Sequence, residues 1–274
     1  MGRIFSIFRS RAFLPGIMKK FPLHYCKSHP IKPFLKYLFK LLLYPVTMNR
    51  LLAIKTIMAQ KNLKNYLEIG VFNGGVFFRV NSTFKVAVDP EFAFDAFRKI
   101  GKSIINPVNF FNQYFQKTSD DFFAQDAKGL FAQNRIQISL IDGMHEYGFA
   151  LRDVENTLSY LTDDGVIFMH DCNPQMKEHA GTYEEWKTKG GGHWNGDVWK
   201  AVLHLRSLRN DINVFVLDCD HGLGVVTKGK PEDKLSYSAQ EIQSFGYADF
   251  DAHREQWLNL KPADYFYEYF KVSR

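Results

Sequence analysis

Four acidic residues stand where four short apolar runs stop: Glu68 within NYLEI, Asp89 after KVAV, Asp142 after IQISLI and Asp171 after VIFM. Two histidines accompany them, His145 three residues past Asp142 and His170 directly before Asp171. A group of carboxylates favours a cationic ligand over a pyrophosphate. A histidine beside them, with an ordinary pKa of about 6.5, suits proton transfer near neutral pH. One acid at a strand end is commonly a helix cap or a turn residue. Four of them point to one pocket, because the carboxyl ends of parallel strands form the ligand crevice of an open α/β sheet.

The elements that must position these residues are legible from periodicity. A helix is expected over Met48 to Gln60, with Leu51, Leu52, Ile54, Ile57 and Met58 on its apolar side. Strands are expected at Asn65 to Ile69, Lys85 to Val88, Ile136 to Ile141 and Val166 to Met169, with a helix over Glu91 to Ile100. Tyr147, Leu151, Val154, Leu158 and Leu161 fit a 3.6-residue period between the third and fourth of these strands. A final strand pair, Asn213 to Leu217 and Gly224 to Thr227, is joined by a short polar loop. Alternating strands and helices imply a mostly parallel sheet with helices on both faces.

The turn after the first strand contains Gly70, Gly74 and Gly75. Glycines there let the backbone pass close to a ligand. The spacing is not that of the dinucleotide fingerprint, since Phe72 occupies the place of its second glycine.

These residues together resemble the class I S-adenosylmethionine-dependent methyltransferases over about residues 48 to 228. The resemblance implies an α/β fold, a three-layer Rossmann-like sheet, mostly parallel with an antiparallel C-terminal hairpin. It implies that Gly70 and Gly74 wrap the methionine part of S-adenosyl-L-methionine, that Glu68 serves its ammonium, and that Asp89 accepts from both ribose hydroxyls. Ser119 and Asp142 then fall at the adenine site. The run Asp142-Gly-Met-His145-Glu-Tyr, with His170-Asp171-Cys-Asn-Pro174, is similar to the small-molecule and sugar O-methyltransferases. By that likeness Asp142, His170 and Asp171 hold a divalent cation, magnesium or manganese, and His145 and Asp142 are catalytic, with His145 as base. The sequence departs from the subgroup in placing His170 where its members carry Glu, and magnesium prefers oxygen ligands. A helix cap or local packing is the alternative role for His145, and orienting Asp171 the alternative for His170.

Residues 187–200 hold three consecutive glycines and two tryptophans. His193, Trp194 and Asp197 are candidates for a lid over an acceptor, whereas Trp199 belongs on the buried side of a helix starting at Asp197. The aromatic-rich stretch from Ser236 to Arg274 has the helical spacing of packing or a subunit contact, and Cys172 is expected to be a small buried residue.

Composition bounds the rest. At 274 residues with 46% hydrophobic and 23% charged residues, the chain has the make-up of an ordinary globular domain. Three scattered cysteines indicate neither a disulfide framework nor a paired-cysteine zinc site, and favour a cytoplasmic setting. The net charge of +6 is uneven: residues 1–50 hold ten Lys/Arg and no acid, while residues 51–274 hold 25 against 29 acids. Nucleic-acid binding is therefore not expected. In IKPFLKYLFKLLLYPV, Lys32, Lys36 and Lys40 share one helical side, which suits either peripheral contact with anionic lipid or packing on the body. The longest apolar piece there is far short of the roughly 20 residues that span a bilayer.

The expected organisation is a basic, partly amphipathic segment at 1–47, a methyltransferase domain at 48–230 and an aromatic extension at 231–274. The expected activity is methyl transfer to a hydroxyl of a sugar or glycoconjugate, by a protein that is cytoplasmic or membrane-associated and open to homo-oligomer formation. The other readings are a noncatalytic membrane-surface binding protein and a nicotinamide-dependent sugar oxidoreductase.

Overall fold

The computed structural model describes residues 47–274; the lysine-spaced helix and lipid contact expected nearer the start lie outside the described residues. The first described helix runs Arg50–Gln60, two residues later than its periodicity suggests. Asn49 causes the difference: it is extended, and its side chain accepts the Leu52 N–H at 3.0 Å, which makes it the N-cap.

Eight strands, β1 (Asn65–Ile69), β2 (Phe84–Val88), β3 (Gln113–Phe115), β4 (Ile136–Ile141), β5 (Leu161–Met169), β6 (Ile212–Leu217), β7 (Leu223–Lys228) and β8 (Leu260–Lys261), form one sheet in the order 3-2-1-4-5-7-6-8. β1 to β5 are mutually parallel, and β7 enters antiparallel between β5 and β6. This is the expected three-layer Rossmann-like sheet with its reversed C-terminal hairpin. Alternation sends Leu67, Ile69, Val86 and Val88 to one apolar layer and Tyr66 and Ala87 to the other. The helices at Tyr147–Tyr160, Val198–Leu208 and Tyr247–Leu258 cover the first face, and Arg50–Gln60 with Tyr265–Phe270 covers the second.

Two strands escape the sequence pattern. β3 has three residues and β8 two, too few to display a period, and β8 adds in parallel to the end of β6. The helix expected over Glu91 to Ile100 runs instead Ala96–Ile105, capped by Asp95. Residues 91–95 are held as a loop because Asp89 accepts the Glu91 N–H at 2.8 Å and the Phe72 carbonyl accepts the Ala93 N–H at 3.0 Å. The C-terminal aromatics are packing residues: Trp257 stacks on Trp199 at 5.8 Å, and Phe250 lies 4.7 Å from the same ring. Cys172 is fully buried. Among the described residues, no helix is long and apolar enough to cross a membrane.

The chain leaves β1 toward β2 on one side and returns to β4 on the other. Such a reversal opens a crevice beyond the strand ends, and the acids fall there.

Candidate active site

A cavity of about 990 Å³ lies at this reversal, lined by Glu68, Gly70, Phe72, Asp89, Ser119, Asp142 and His145 among others. Gly70 adopts φ +80°, and a Cβ there would stand 2.0 Å from the Asp142 carbonyl oxygen. The tips of β1 and β4 thus approach too closely for any side chain. Gly70→Ala combines this clash with left-handed strain and is expected to cost about 3 kcal/mol or more, lowering the melting temperature by roughly 6–12 °C in a thermal unfolding scan. Gly74 sits one residue away from the cavity wall. It does not line the cavity, and its missing side chain makes room for the Phe78 ring, 2.3 Å from a Cβ placed there; Gly75 lines the cavity instead.

Glu68 is buried in β1, and its carboxylate accepts from the Tyr66 hydroxyl at 2.5 Å. Burial drives its pKa up to about 8, with the Tyr66 bond opposing. Asp89 Oδ2 accepts the Phe72 N–H at 2.7 Å and Oδ1 accepts the Glu91 N–H, so the carboxylate is fixed at the cavity wall with lone pairs to spare. Ser119 sits at the start of the Ser119–Gln125 helix, beside Asp153, to which the sequence assigned no role. Asp153 lines the cavity, is 3% exposed and has an Oδ1 with no hydrogen-bond partner. Burial pushes its pKa up to about 7, against a hydrogen bond from Ser119.

Asp142, His170 and Asp171 do come together, their ligand atoms within 4.8 Å of one another. Asp171 takes φ +59°, the left-handed region that a non-glycine residue seldom adopts. His170 Nδ1 lies 2.8 Å from Asp171 Oδ2 and 3.1 Å from Asp142 Oδ1. Arg50 completes the cluster from the first described helix: its Nη1 donates to Asp220 at 2.9 Å and lies 2.6 Å from His170 Nε2, and its Nε is 3.5 Å from Asp142. Burial opposes charge on His170, but Asp142 and the other acids outweigh it and raise its pKa to about 11. The ring is therefore protonated at neutral pH, with Nδ1 donating toward the Asp171 and Asp142 carboxylates.

That protonation does not fit the cation expected at Asp142, His170 and Asp171. A metal on Nδ1 would have to displace the proton that Asp171 and Asp142 hold there. Arg50 already supplies positive charge to this acid group. A second trio, Asp171 with His193 and His221, also has donors within 4.8 Å, and its two imidazoles suit a zinc-like ion better than magnesium.

His145 Nδ1 donates to the Trp194 carbonyl at 2.9 Å, which leaves Nε2 as the acceptor nitrogen. Nε2 stands 3.5 Å from Asp142 and 3.4 Å from Asp171. Burial lowers the His145 pKa, but its hydrogen bond with Asp142 and the charge of Asp171 outweigh this, and the net shift is upward. Beside it a second hollow of about 480 Å³ is lined by Trp186, Trp194 and His193. Trp186 and Trp194 stack at 5.5 Å, and their indole N–H groups donate to the Gly192 and Gly181 carbonyls. Asp197, expected in a lid, instead accepts the Tyr147 N–H at 2.6 Å and so caps the helix that follows His145.

Residues 67–172 match a family model described as a methyltransferase domain. No curated protein matches the chain. Among solved structures, an SAH-bound methyltransferase from Podospora anserina is 15% identical, covering 74% of this chain and 91% of its own, with a TM-score of 0.46. The O-methyltransferase TomG from Streptomyces achromogenes, in complex with SAM, is 12% identical over 69% of this chain and 85% of its own, with a TM-score of 0.48. An O-methyltransferase from Bacillus cereus in complex with SAH is 12% identical over 72% and 90%, with a TM-score of 0.44. The family match runs from within β1 to just past the end of β5 and contains Glu68, Asp89, Asp142, His145 and Asp171, so the part of the chain that builds the cavity is similar to a methyltransferase domain.

Proposed function

We propose that the protein is an S-adenosylmethionine-dependent methyltransferase that methylates a hydroxyl group on a sugar or glycoconjugate. The observation that carries this reading is the position of His145, which lines both the acid-walled cavity and the tryptophan-lined hollow. A base between the two can take a proton from a group held in one while that group attacks a donor held in the other.

The cavity's donor chemistry suits S-adenosylmethionine. When bound, that cofactor supplies a methyl group on an electron-poor sulfonium. Glu68 and Asp142 offer carboxyl groups to its cationic portion, Asp89 offers acceptors to ribose hydroxyls, and the unpartnered Asp153 oxygen beside Ser119 offers an acceptor to an exocyclic amine. A sugar hydroxyl must lose its proton as it attacks, and His145 Nε2 receives it. Asp142 and Asp171 stabilise the resulting imidazolium, and Trp194 holds the ring in the required tautomer. The stacked Trp186 and Trp194 give the second hollow flat apolar walls with polar rims, which suit a sugar ring.

Glu68 supplies a test of the cofactor arrangement. Its pKa of about 8 leaves it mostly protonated at pH 7, and a cation beside it would lower that pKa. Cofactor binding should therefore release about one proton, measured as a dependence of calorimetric enthalpy on buffer ionisation heat. Glu68→Gln should remove that release; a wild-type enthalpy independent of buffer defeats the arrangement. For the acceptor, incubation with S-adenosylmethionine and a panel of sugars and glycoconjugates should yield products heavier by one methylene on oxygen. Transfer only to nitrogen or sulfur acceptors would overturn the reading.

A further inference from the structure

We propose that the Ala96–Ile105 helix and the Pro107–Phe111 turn form a docking face for an anionic membrane surface. This face plays no part in the site above.

The helix is amphipathic in the wrong sense for a domain packed only on itself. Phe97, Ile100 and Ile104 fall on one stripe by their spacing, and with Ile105, Phe110 and Phe111 they are between 54% and 84% exposed. The buried residue of the helix is Ser103, whose hydroxyl donates to the Lys99 carbonyl. Lys99 itself turns toward the body, its Nζ 4.2 Å from the Tyr114 ring centre. A covering helix ordinarily presents its apolar stripe to the sheet, so six large apolar side chains grouped in water mark a contact surface.

Charge selects the occupant. Besides the inward-turned Lys99, residues 96–112 contain Arg98 and Lys102 and no acid, and Asp95 before them caps the helix, although residues 51–274 as a whole carry more acids than bases. Apolar side chains set among cations match the acyl and headgroup layers of an anionic interface. A second copy of the chain fits less well, because a two-fold contact would bring the same cations against each other. The face is also tied to the cofactor cavity: the loop leading into the helix is held by the Ala93 N–H on the carbonyl of Phe72, a cavity-lining residue.

The test is flotation of the full chain with phosphatidylcholine vesicles, with and without about one-third phosphatidylglycerol. The wild type should float with the anionic vesicles. The triple variant Phe97→Ser/Ile104→Ser/Phe111→Ser keeps the basic segment intact and alters only exposed positions. It should lose about tenfold or more of vesicle partition with an unchanged melting temperature. Wild type that fails to float overturns the proposal. So does a variant that floats as well as wild type, which would assign lipid binding elsewhere. A variant that still floats but changes from dimer to monomer by light scattering overturns it in favour of a subunit contact.

Discussion

His145→Ala is expected to lower kcat by about 10²–10⁴-fold while leaving the cofactor dissociation constant within about twofold. The separation follows from geometry. His145 meets the cavity through Nε2, whereas Asp89 and Glu68, the acids proposed to face the cofactor, make their bonds to Phe72, Glu91 and Tyr66. A base must be neutral to act, and the His145 pKa is raised from its ordinary 6.5. Activity should consequently fall as pH drops through a value above 6.5. Asp171→Asn removes one of the charges that raise the pKa, so it should move that acid limb to lower pH. Single-turnover methyl transfer across pH, read beside cofactor titrations, checks both points. A His145→Ala enzyme with full turnover removes the histidine from the mechanism.

The second large effect is expected from Asp89→Ala, which should weaken cofactor binding by roughly 100-fold or more, the size of about two lost charge-assisted hydrogen bonds. The carboxylate also holds the Phe72 and Glu91 N–H groups, so a fall of a few degrees in melting temperature should accompany the loss. Calorimetric affinity and thermal unfolding on the same protein separate the two contributions. An unchanged dissociation constant would show that Asp89 serves only the turn, and the cofactor assignment at the end of β2 would have to be abandoned.

The fold was legible wherever an element carried a full period of its own. β1, β2, β4 and β5 each show a run of apolar residues long enough to bury, and the helix over Tyr147–Tyr160 shows its stripe over four turns. β3 and β8 were illegible because pairing to a neighbour, not composition, makes them strands. The Ala96–Ile105 helix was misplaced because its start is set by Asp95 after a loop pinned to distant backbone. Its amphipathicity could be counted from the residues, but a stripe has no label saying whether it faces the sheet or the solvent.

The sequence by itself determined that four acids and two histidines lie at the ends of parallel strands, because strand direction and local periodicity require no knowledge of the rest of the chain. Tertiary structure alone decided what those groups meet. Arg50 reaches Asp220 across 170 positions, and Trp194 sets the His145 tautomer across 49. Asp153 becomes a buried oxygen without a partner, and Gly75 replaces Gly74 at the cavity wall. Each outcome depends on strand register and loop closure at ångström precision. Protonation and charge balance change over those same distances, and residue spacing along a chain does not encode them.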